Sequence, residues 1–254
     1  MIINNISYRI KDYKVPFFKV LHFLYKPYKW MVFFPFFVLL TGICGIIIPF
    51  LAYFSPKYLD SLAILWSRFS LYVALVWMKI EGRENIDKNQ SYVVVANHAS
   101  QFDIFVIYGW LGIPFKWVMK EELRSVPVIG RFCNLAGHIF IDRKNSKEAI
   151  AKINKAKKYL IAKKSSIFFF PEGTRSLDGN VQGFKKGAFT LAKDMNLPVL
   201  PVTIKGTHSI LPAKTTDLFP GKVELIIHQP FSSEDYDMET LISMCKNKIE
   251  SSLY

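Results

Sequence analysis

The pattern of apolar and polar positions divides the 254-residue chain into two parts near residue 81. From Trp30 to Pro56 no side chain is charged, and this run exceeds the ~20 residues that a membrane-spanning helix needs. Prolines and glycines interrupt the run, which also fits a kinked or re-entrant helix. A second apolar stretch, residues 61–80, carries Arg68 near its middle. An arginine at the bilayer centre costs about 2.5–3.5 kcal/mol, so an interfacial or shallow hairpin helix fits this stretch as well as a second span. We predict a membrane-anchoring helical region at residues 1–80; the alternative is a buried helix of a soluble core.

After residue 81, short β-rich runs alternate with helical patterns. Six runs predict strands, namely "SYVVVA", "FKWVM", "HIFI", "SIFFF", "VLPVTI" and "VELIIH". Between the third and fourth runs, Ser146–Lys164 predicts an amphipathic helix, with Asn145 and Glu148 at N-cap and N3 spacing and lysines on its polar face. Strands that alternate with helices predict an α/β fold with a mostly parallel sheet flanked by helices, in a second domain at residues 81–254.

Charge and composition narrow the class of protein. A net charge of +13 together with a mean hydropathy of +0.19 is typical of proteins at membrane surfaces, whereas nucleic-acid binders are basic but less apolar. We therefore expect membrane lipids as partners and no nucleic acid. The three cysteines lie far apart, without metal-ligand spacing or a pairing pattern, so we expect no metal site and a reducing compartment. The segment before the apolar run carries a single acid, Asp12, and six cations, which predicts a cytoplasmic N-terminus: Arg9, Lys11, Lys14, Lys19, Lys26 and Lys29.

Polar side chains follow four of the predicted strands, at the point where each strand ends. In parallel α/β sheets, ligands bind beyond the carboxyl ends of the strands, so these side chains are expected to lie together. In chain order, the set comprises Asn97 and His98, Lys120, Asp142 and Arg143, and then Glu172, Gly173, Thr174 and Arg175.

Two interpretations of His98 and Asp103 are open from the residues alone. Ser100 and Asp103 match the spacing of a capping box ahead of an apolar helix, which would leave His98 an ordinary loop residue. Alternatively, His98 lies in the loop and Asp103, in the first helical turn, orients it as a general base for an alcohol. Lysine and arginine bind phosphate, so the set indicates an alcohol attached to a phosphate, and the apolar N-terminal region indicates a lipid.

These residues resemble the 1-acyl-glycerol-3-phosphate acyltransferase family. "NHASQFD" matches the family's Asn-His-x-x-x-x-Asp block, "GHIFIDR" is similar to its second block, "FPEGTRS" to its third and "LPVLPVTIKGT" to its fourth. Two further segments match the family in the same chain order. They are Lys120–Gly130, with "KEEL" followed by a proline and a glycine, and "FKKGAF". The resemblance covers roughly residues 82–228.

The resemblance implies transfer of a fatty acyl group from acyl-CoA or acyl-carrier protein to the free sn-2 hydroxyl of lysophosphatidate, which gives phosphatidate. It assigns His98 as base and Asp103 as its orienting partner. Glu172, Gly173 and Thr174 would shape the glycerol and phosphate site. The phosphate would be held by Lys120, Arg143 and Arg175, and Pro201 would lie near the acyl path. It implies an acyltransferase catalytic domain at residues 81–254 and no cofactor beyond the acyl donor. We expect no metal, since no ligand cluster supports one. The uncharged run and the cations before it predict a membrane location with the catalytic domain facing the cytoplasm.

Two other functions remain open at this point. One is an acyltransferase of the same superfamily that acts on lyso-ornithine lipid or on a lysophospholipid with a head group. The other is a membrane-anchored module that binds anionic lipid through its lysines without catalysis, for which His98 and Asp103 would have no use.

Overall fold

The computed structural model describes residues 23–55, 57–142, 152 and 164–253. The amphipathic helix predicted at Ser146–Lys164 lies almost entirely outside these residues. Seven helices and seven strands are assigned within them. The helices are α1 (Phe23–Phe54), α2 (Lys57–Val73), α3 (Phe102–Trp110), α4 (Ile129–Leu135), α5 (Gly187–Met195), α6 (Thr207–Ile210) and α7 (Met238–Ser251). The strands are β1 (Val76–Glu81), β2 (Val93–Ala96), β3 (Phe115–Lys120), β4 (Ile139–Ile141), β5 (Ser166–Phe169), β6 (Val199–Lys205) and β7 (Gly221–Ile227).

The strands form one mixed sheet in the order β1-β7-β6-β2-β5-β3-β4. All neighbouring pairs are parallel except β6 and β7, so the predicted mostly parallel α/β sheet is confirmed. The five strands from β2 to β6 point the same way and share one carboxyl edge. Every residue of β2 is buried, because helices cover both faces of the sheet.

The N-terminal run folds as one long helix instead of a broken one. Proline has no N–H to donate to the carbonyl four residues earlier, and a π-helical turn at Lys29–Phe33 immediately precedes Pro35. Pro49 lies inside the helix, which continues to Phe54. Among the described residues, α1 is the one helix that is long and apolar enough to cross a membrane.

One face of α1 packs against the rest of the protein along the length of the helix. Near its start, the Tyr25 hydroxyl donates to the Ala74 carbonyl at 2.9 Å. Further along, Phe33 contacts Phe102, and near the end Ile48 packs beside Ala136 of the segment after α4. The opposite face leaves large apolar side chains exposed, among them Phe23, Leu24, Met31, Val38, Leu39, Ile46, Phe50, Tyr53 and Phe54.

The second apolar stretch is a helix followed by a strand, not one helix. Helix α2 ends at Val73, and Leu75 adopts a φ of 55° before β1 begins. Burial in β1 alternates between neighbouring residues, the two-residue period of a strand with one covered face. Arg68 of α2 donates to the Gly109 carbonyl at 2.9 Å, so this cation is partnered by α3. The proposed domain boundary after residue 80 falls within β1 and stays a prediction.

Candidate active site

His98 and Asp103 form a hydrogen-bonded pair at the carboxyl end of β2. His98 lies in the loop that follows the strand, and Asp103 lies in the first turn of α3, as the sequence predicts. The His98 Nδ1–H donates to Asp103 Oδ2 at 2.8 Å. That hydrogen bond leaves a lone pair on Nε2, which has no partner among the described residues. The His98 side chain is 15% exposed, so a substrate hydroxyl has access to it.

Asp103 also binds the backbone of the loop that leads into α3, whereas the N-cap residue of that helix is Gln101 and carries no side-chain cap. Its Oδ2 accepts the backbone N–H groups of Ala99 and Ser100 at 2.8 and 2.9 Å. The Ser100 hydroxyl accepts the Phe102 N–H at 3.1 Å. Three donors therefore converge on one oxygen of a fully buried carboxylate. This arrangement fixes the position of the carboxylate relative to the His98 ring.

A stack of three rings sets the plane of the His98 imidazole. The His98 ring lies parallel to Phe170, with centroids 3.8 Å apart and planes 9° apart. Phe170 in turn stacks on Trp117, at 5.5 Å and 27°. The three rings belong to the ends of β2 and β5 and to β3, which are neighbours in the sheet. No functional role is predicted for Phe170 or Trp117 from the sequence.

Glu172 binds the loop that carries the histidine. Its Oε1 accepts the His98 backbone N–H at 2.7 Å, and its Oε2 accepts the Gln182 N–H at 2.9 Å. The His98 carbonyl accepts the Ser176 N–H at 2.8 Å, so the loop after β5 holds both backbone groups of His98. Burial raises the pKa of Glu172 to about 7, the two backbone N–H groups lower it, and the charges of Asp103 and Asp178 raise it further. In this structure Glu172 positions the His98 loop.

The raised pKa of Glu172 predicts a pH-dependent contribution to stability. Between its ordinary pKa of 4.5 and about 7, the folded protein holds a proton that the unfolded chain has released. The stabilising effect of that proton is therefore complete below the lower pKa and is lost as the pH rises through the higher one. The wild type should therefore lose stability between about pH 5 and about pH 8, whereas Glu172→Gln lacks this proton. We expect the Tm of Glu172→Gln minus the Tm of the wild type to increase over that range. Thermal melts at both pH values measure this, and a constant Tm difference would contradict it.

The cations follow the same strand ends. Arg175 is half-buried, and Lys120 is exposed at the end of β3; neither forms an ion pair with any described residue. Gly173 has a φ of +78°, and a Cβ there would lie 2.8 Å from Lys185 Nζ, so the Lys185 ammonium lies across this turn. Thr174 is exposed beside it. Lys185 is thus a further cation beside the loop that follows β5, in addition to the cations predicted from the sequence.

Two further predicted residues remain. Arg143 lies outside the described residues. Pro201 is buried within β6, opposite Val95 of β2, and its carbonyl accepts the His228 N–H at 3.0 Å. Its assignment to the acyl path stays a prediction. Asn97 binds the end of β2 to β6, because its side chain donates to the Ile204 carbonyl at 2.9 Å and accepts the Ile204 N–H at 2.8 Å.

Two other histidines have structural partners. His138 is buried, hydrogen-bonds the Tyr108 hydroxyl through Nε2, and has its pKa lowered to about 3 by burial and by the Lys116 charge. His228 contacts the Thr203 hydroxyl at 2.8 Å, and burial lowers its pKa to about 4. Both are neutral core residues, although His138 lies within the "GHIFIDR" block.

Comparison with known proteins agrees with this geometry. Residues 78–205, just over half of the chain, match the family model described as Acyltransferase. The chain belongs to the acyltransferase family. It is 34% identical over 210 residues to a chloroplastic 1-acyl-sn-glycerol-3-phosphate acyltransferase of Arabidopsis thaliana, which covers 81% of this chain and 58% of the relative. It is also 34% identical over 160 residues to a Saccharomyces cerevisiae 1-acyl-sn-glycerol-3-phosphate acyltransferase, covering 62% of this chain and 52% of the relative.

A solved structure shares the fold over nearly its whole length. The crystal structure of the 1-acyl-sn-glycerophosphate acyltransferase PlsC from Thermotoga maritima matches with a TM-score of 0.71 and 28% identity, covering 85% of this chain and 94% of that chain. By contrast, this chain spans 58% and 52% of the length of the two curated relatives named above.

Proposed function

We propose that the protein transfers a fatty acyl group from acyl-CoA or acyl-carrier protein to the sn-2 hydroxyl of lysophosphatidate, giving phosphatidate. The observation that carries this proposal is the His98–Asp103 pair at the carboxyl edge of the sheet, with Arg175 and Lys120 at neighbouring strand ends. Support comes from the 1-acyl-sn-glycerol-3-phosphate acyltransferases among the relatives.

The proposed reaction proceeds by direct transfer. His98 Nε2 takes the proton of the sn-2 hydroxyl as the oxygen attacks the acyl thioester carbon. Asp103 stabilises the resulting imidazolium, and the proton then passes to the leaving thiolate. The new ester bond replaces the thioester bond, so the released products are phosphatidate and the free thiol of the donor. Arg175 and Lys120 bind the phosphate and so place the hydroxyl against the base.

The direct test is an acyl-transfer assay with the purified full chain, a labelled acyl donor and lysophosphatidate. We expect labelled phosphatidate from the wild type. Lyso-ornithine lipid and head-group lysophospholipids serve as competing acceptors in the same assay. Preferential acylation of one of these competitors would identify that lipid as the acceptor and contradict the assignment of lysophosphatidate. The absence of any transfer would contradict the proposal that the protein is an enzyme.

Arg175 is expected to contribute to acceptor binding and not to folding. No ion pair joins Arg175 to Glu172 among the described residues, where the contacts of that carboxylate are backbone N–H groups, so removal of Arg175 leaves its partners in place. Arg175→Ala removes a charge-assisted contact worth ~1.5–3 kcal/mol, which lowers kcat/KM for lysophosphatidate by roughly one to two decades. Arg175→Lys should also be damaging, because lysine lacks the planar fork that binds two phosphate oxygens.

Kinetic titrations of both substrates measure this effect, with Lys88→Ala as the control because Lys88 is an exposed cation ahead of β2, at the opposite edge of the sheet. A rise in the donor KM with an unchanged acceptor KM would assign Arg175 to the donor site. Loss of folded protein in a thermal melt would indicate a structural role instead.

We also propose that the exposed apolar face of α1 inserts into the membrane and that the α/β part faces the cytoplasm. Support comes from the exposed side chains along α1 and from the cations that precede the uncharged run. We expect protease to spare the α/β part in right-side-out vesicles and to cleave it when the vesicles are inverted. The reverse pattern would contradict the orientation.

A further inference from the structure

Val128 adopts a conformation that β-branched residues rarely adopt. Its φ and ψ are 62° and −58°, and the Ile129 N–H donates to the Pro127 carbonyl at 2.6 Å across it. This is a γ-turn with positive φ at its centre, a strained geometry that persists where surrounding contacts enforce it. Val128 lies immediately before α4, in the segment that connects β3 to that helix.

The contact that accompanies this strain comes from α1. A Cβ on Gly45 would lie 2.9 and 3.2 Å from the two methyl groups of Val128, so the valine side chain lies directly on the helix backbone. Gly42, one turn earlier on the same helix, has no atom within 4 Å of the equivalent position. Val128 also joins a hydrophobic cluster with Ile48 of α1 and Leu59 of α2.

A second close contact connects this turn to Lys120. A Cβ on Gly130 would lie 2.1 Å from the Arg124 carbonyl oxygen and 2.8 Å from that of Leu123, so only glycine lets the two backbones meet. Arg124 and Leu123 belong to the 3₁₀ turn at Glu121–Ser125, and Lys120 is the N-cap residue of that turn. The contacts therefore run from Gly45 through Val128 and Gly130 to the turn that begins after Lys120, the last residue of β3.

We infer that α1 holds the Lys120 segment in its acceptor-binding position through the contact between Gly45 and Val128. This inference rests on the proposed function, in which Lys120 binds the acceptor phosphate. Leu123 and Ile129 on the same segment are exposed apolar side chains, as are Ile46 and Phe50 of α1. If the membrane contacts α1, a lipid acceptor that leaves the membrane there binds to Lys120, and the same helix determines the position of Lys120. Gly45 and Val128 are positioning residues for acceptor binding.

The experiment compares Gly45→Ala with Gly42→Ala in the full-length protein. Both changes add one methyl group to the same helix, but only the methyl at residue 45 overlaps Val128. We expect Gly45→Ala to raise the acceptor KM by roughly tenfold, since misplacement of a positioning group by ~1 Å costs up to ~10²-fold. The donor KM should stay constant, and Gly42→Ala should match the wild type.

A compensating change tests the contact itself. Val128→Ala removes the two overlapping methyl groups and leaves its Cβ 3.6 Å from the added methyl, an ordinary contact distance. The double variant Gly45→Ala/Val128→Ala should therefore recover acceptor KM relative to Gly45→Ala. Absence of recovery, or an equal defect in Gly42→Ala, would overturn the inference.

Hydrogen–deuterium exchange of residues 120–130 gives a readout that is independent of the substrate. We expect faster exchange there in Gly45→Ala, wild-type exchange in Gly42→Ala and slower exchange again in the double variant. Unchanged exchange in Gly45→Ala would overturn the coupling, and faster exchange with a normal acceptor KM would overturn its role in acceptor binding. If the wild type does not acylate lysophosphatidate, the proposed function fails while exchange still decides whether α1 holds this segment.

Discussion

His98→Ala is expected to lower kcat by at least ~10²-fold while the protein stays folded and membrane-bound. General-base catalysis contributes ~10²–10⁴ to the rate, and the Nε2 of His98, at the carboxyl edge of the sheet, has no hydrogen-bond partner in the part of the chain that the structure describes. The measurement is kcat with saturating acyl donor and lysophosphatidate. His138→Ala is not a suitable control, because that side chain is fully paired in the core.

Retention of more than about a tenth of the wild-type kcat by His98→Ala would exclude His98 as the base. A thermal melt distinguishes this result from unfolding. The His98 side chain contributes one hydrogen bond to Asp103 and a stack on Phe170, whereas its loop is held through backbone groups by Glu172 and Ser176. The loop should therefore keep its conformation in the alanine variant.

Asp103→Asn is expected to reduce kcat by ~10² or more without loss of the contacts that hold the loop before α3. An asparagine oxygen can still accept the Ala99 and Ser100 N–H groups. It carries no charge to stabilise the imidazolium, and its amide nitrogen would occupy the place of Oδ1, which is buried without a hydrogen-bond partner in the structure. The measurement is kcat together with a thermal melt.

A folded Asp103→Asn variant with near-normal kcat would show that Asp103 acts only through its contacts with the loop backbone. In that case the hydrogen bond to His98 Nδ1 would have no catalytic consequence. Loss of both stability and activity would show that these backbone contacts are the main contribution of this residue.

The strands of the sheet and the positions of His98 and Asp103 can be predicted from the sequence because both follow from local patterns. Every strand predicted from apolar runs is present, and the spacing from His98 to Asp103 places one in the loop and the other in the helix. The first strand was missed because the apolar stretch of α2 continues into it without a break. Its alternating burial, with Trp77 exposed and Met78 packed on the core, is the signal that separates it from the helix.

Contacts between distant segments could not be predicted from one sequence. The resemblance assigns Glu172 to the acceptor site, which stays a prediction. Its binding of backbone N–H groups ten and 74 residues away follows from no local pattern. The ring stack through Phe170 depends on the order of β2, β5 and β3 in the sheet. Lys185 could have been suspected from the "FKKGAF" block, but the choice between Lys185 and Lys186 requires the contact with Gly173.

The most direct test of the account is the ratio of kcat/KM for lysophosphatidate to that for 1-acylglycerol with the same acyl chain. The two acceptors share the reactive hydroxyl and differ only in the phosphate, so the ratio measures phosphate recognition by the site. We expect the wild type to prefer lysophosphatidate by at least about tenfold, with phosphatidate as the product, and Arg175→Ala to lose most of this preference. Equal kcat/KM values for the two acceptors in the wild type would contradict it.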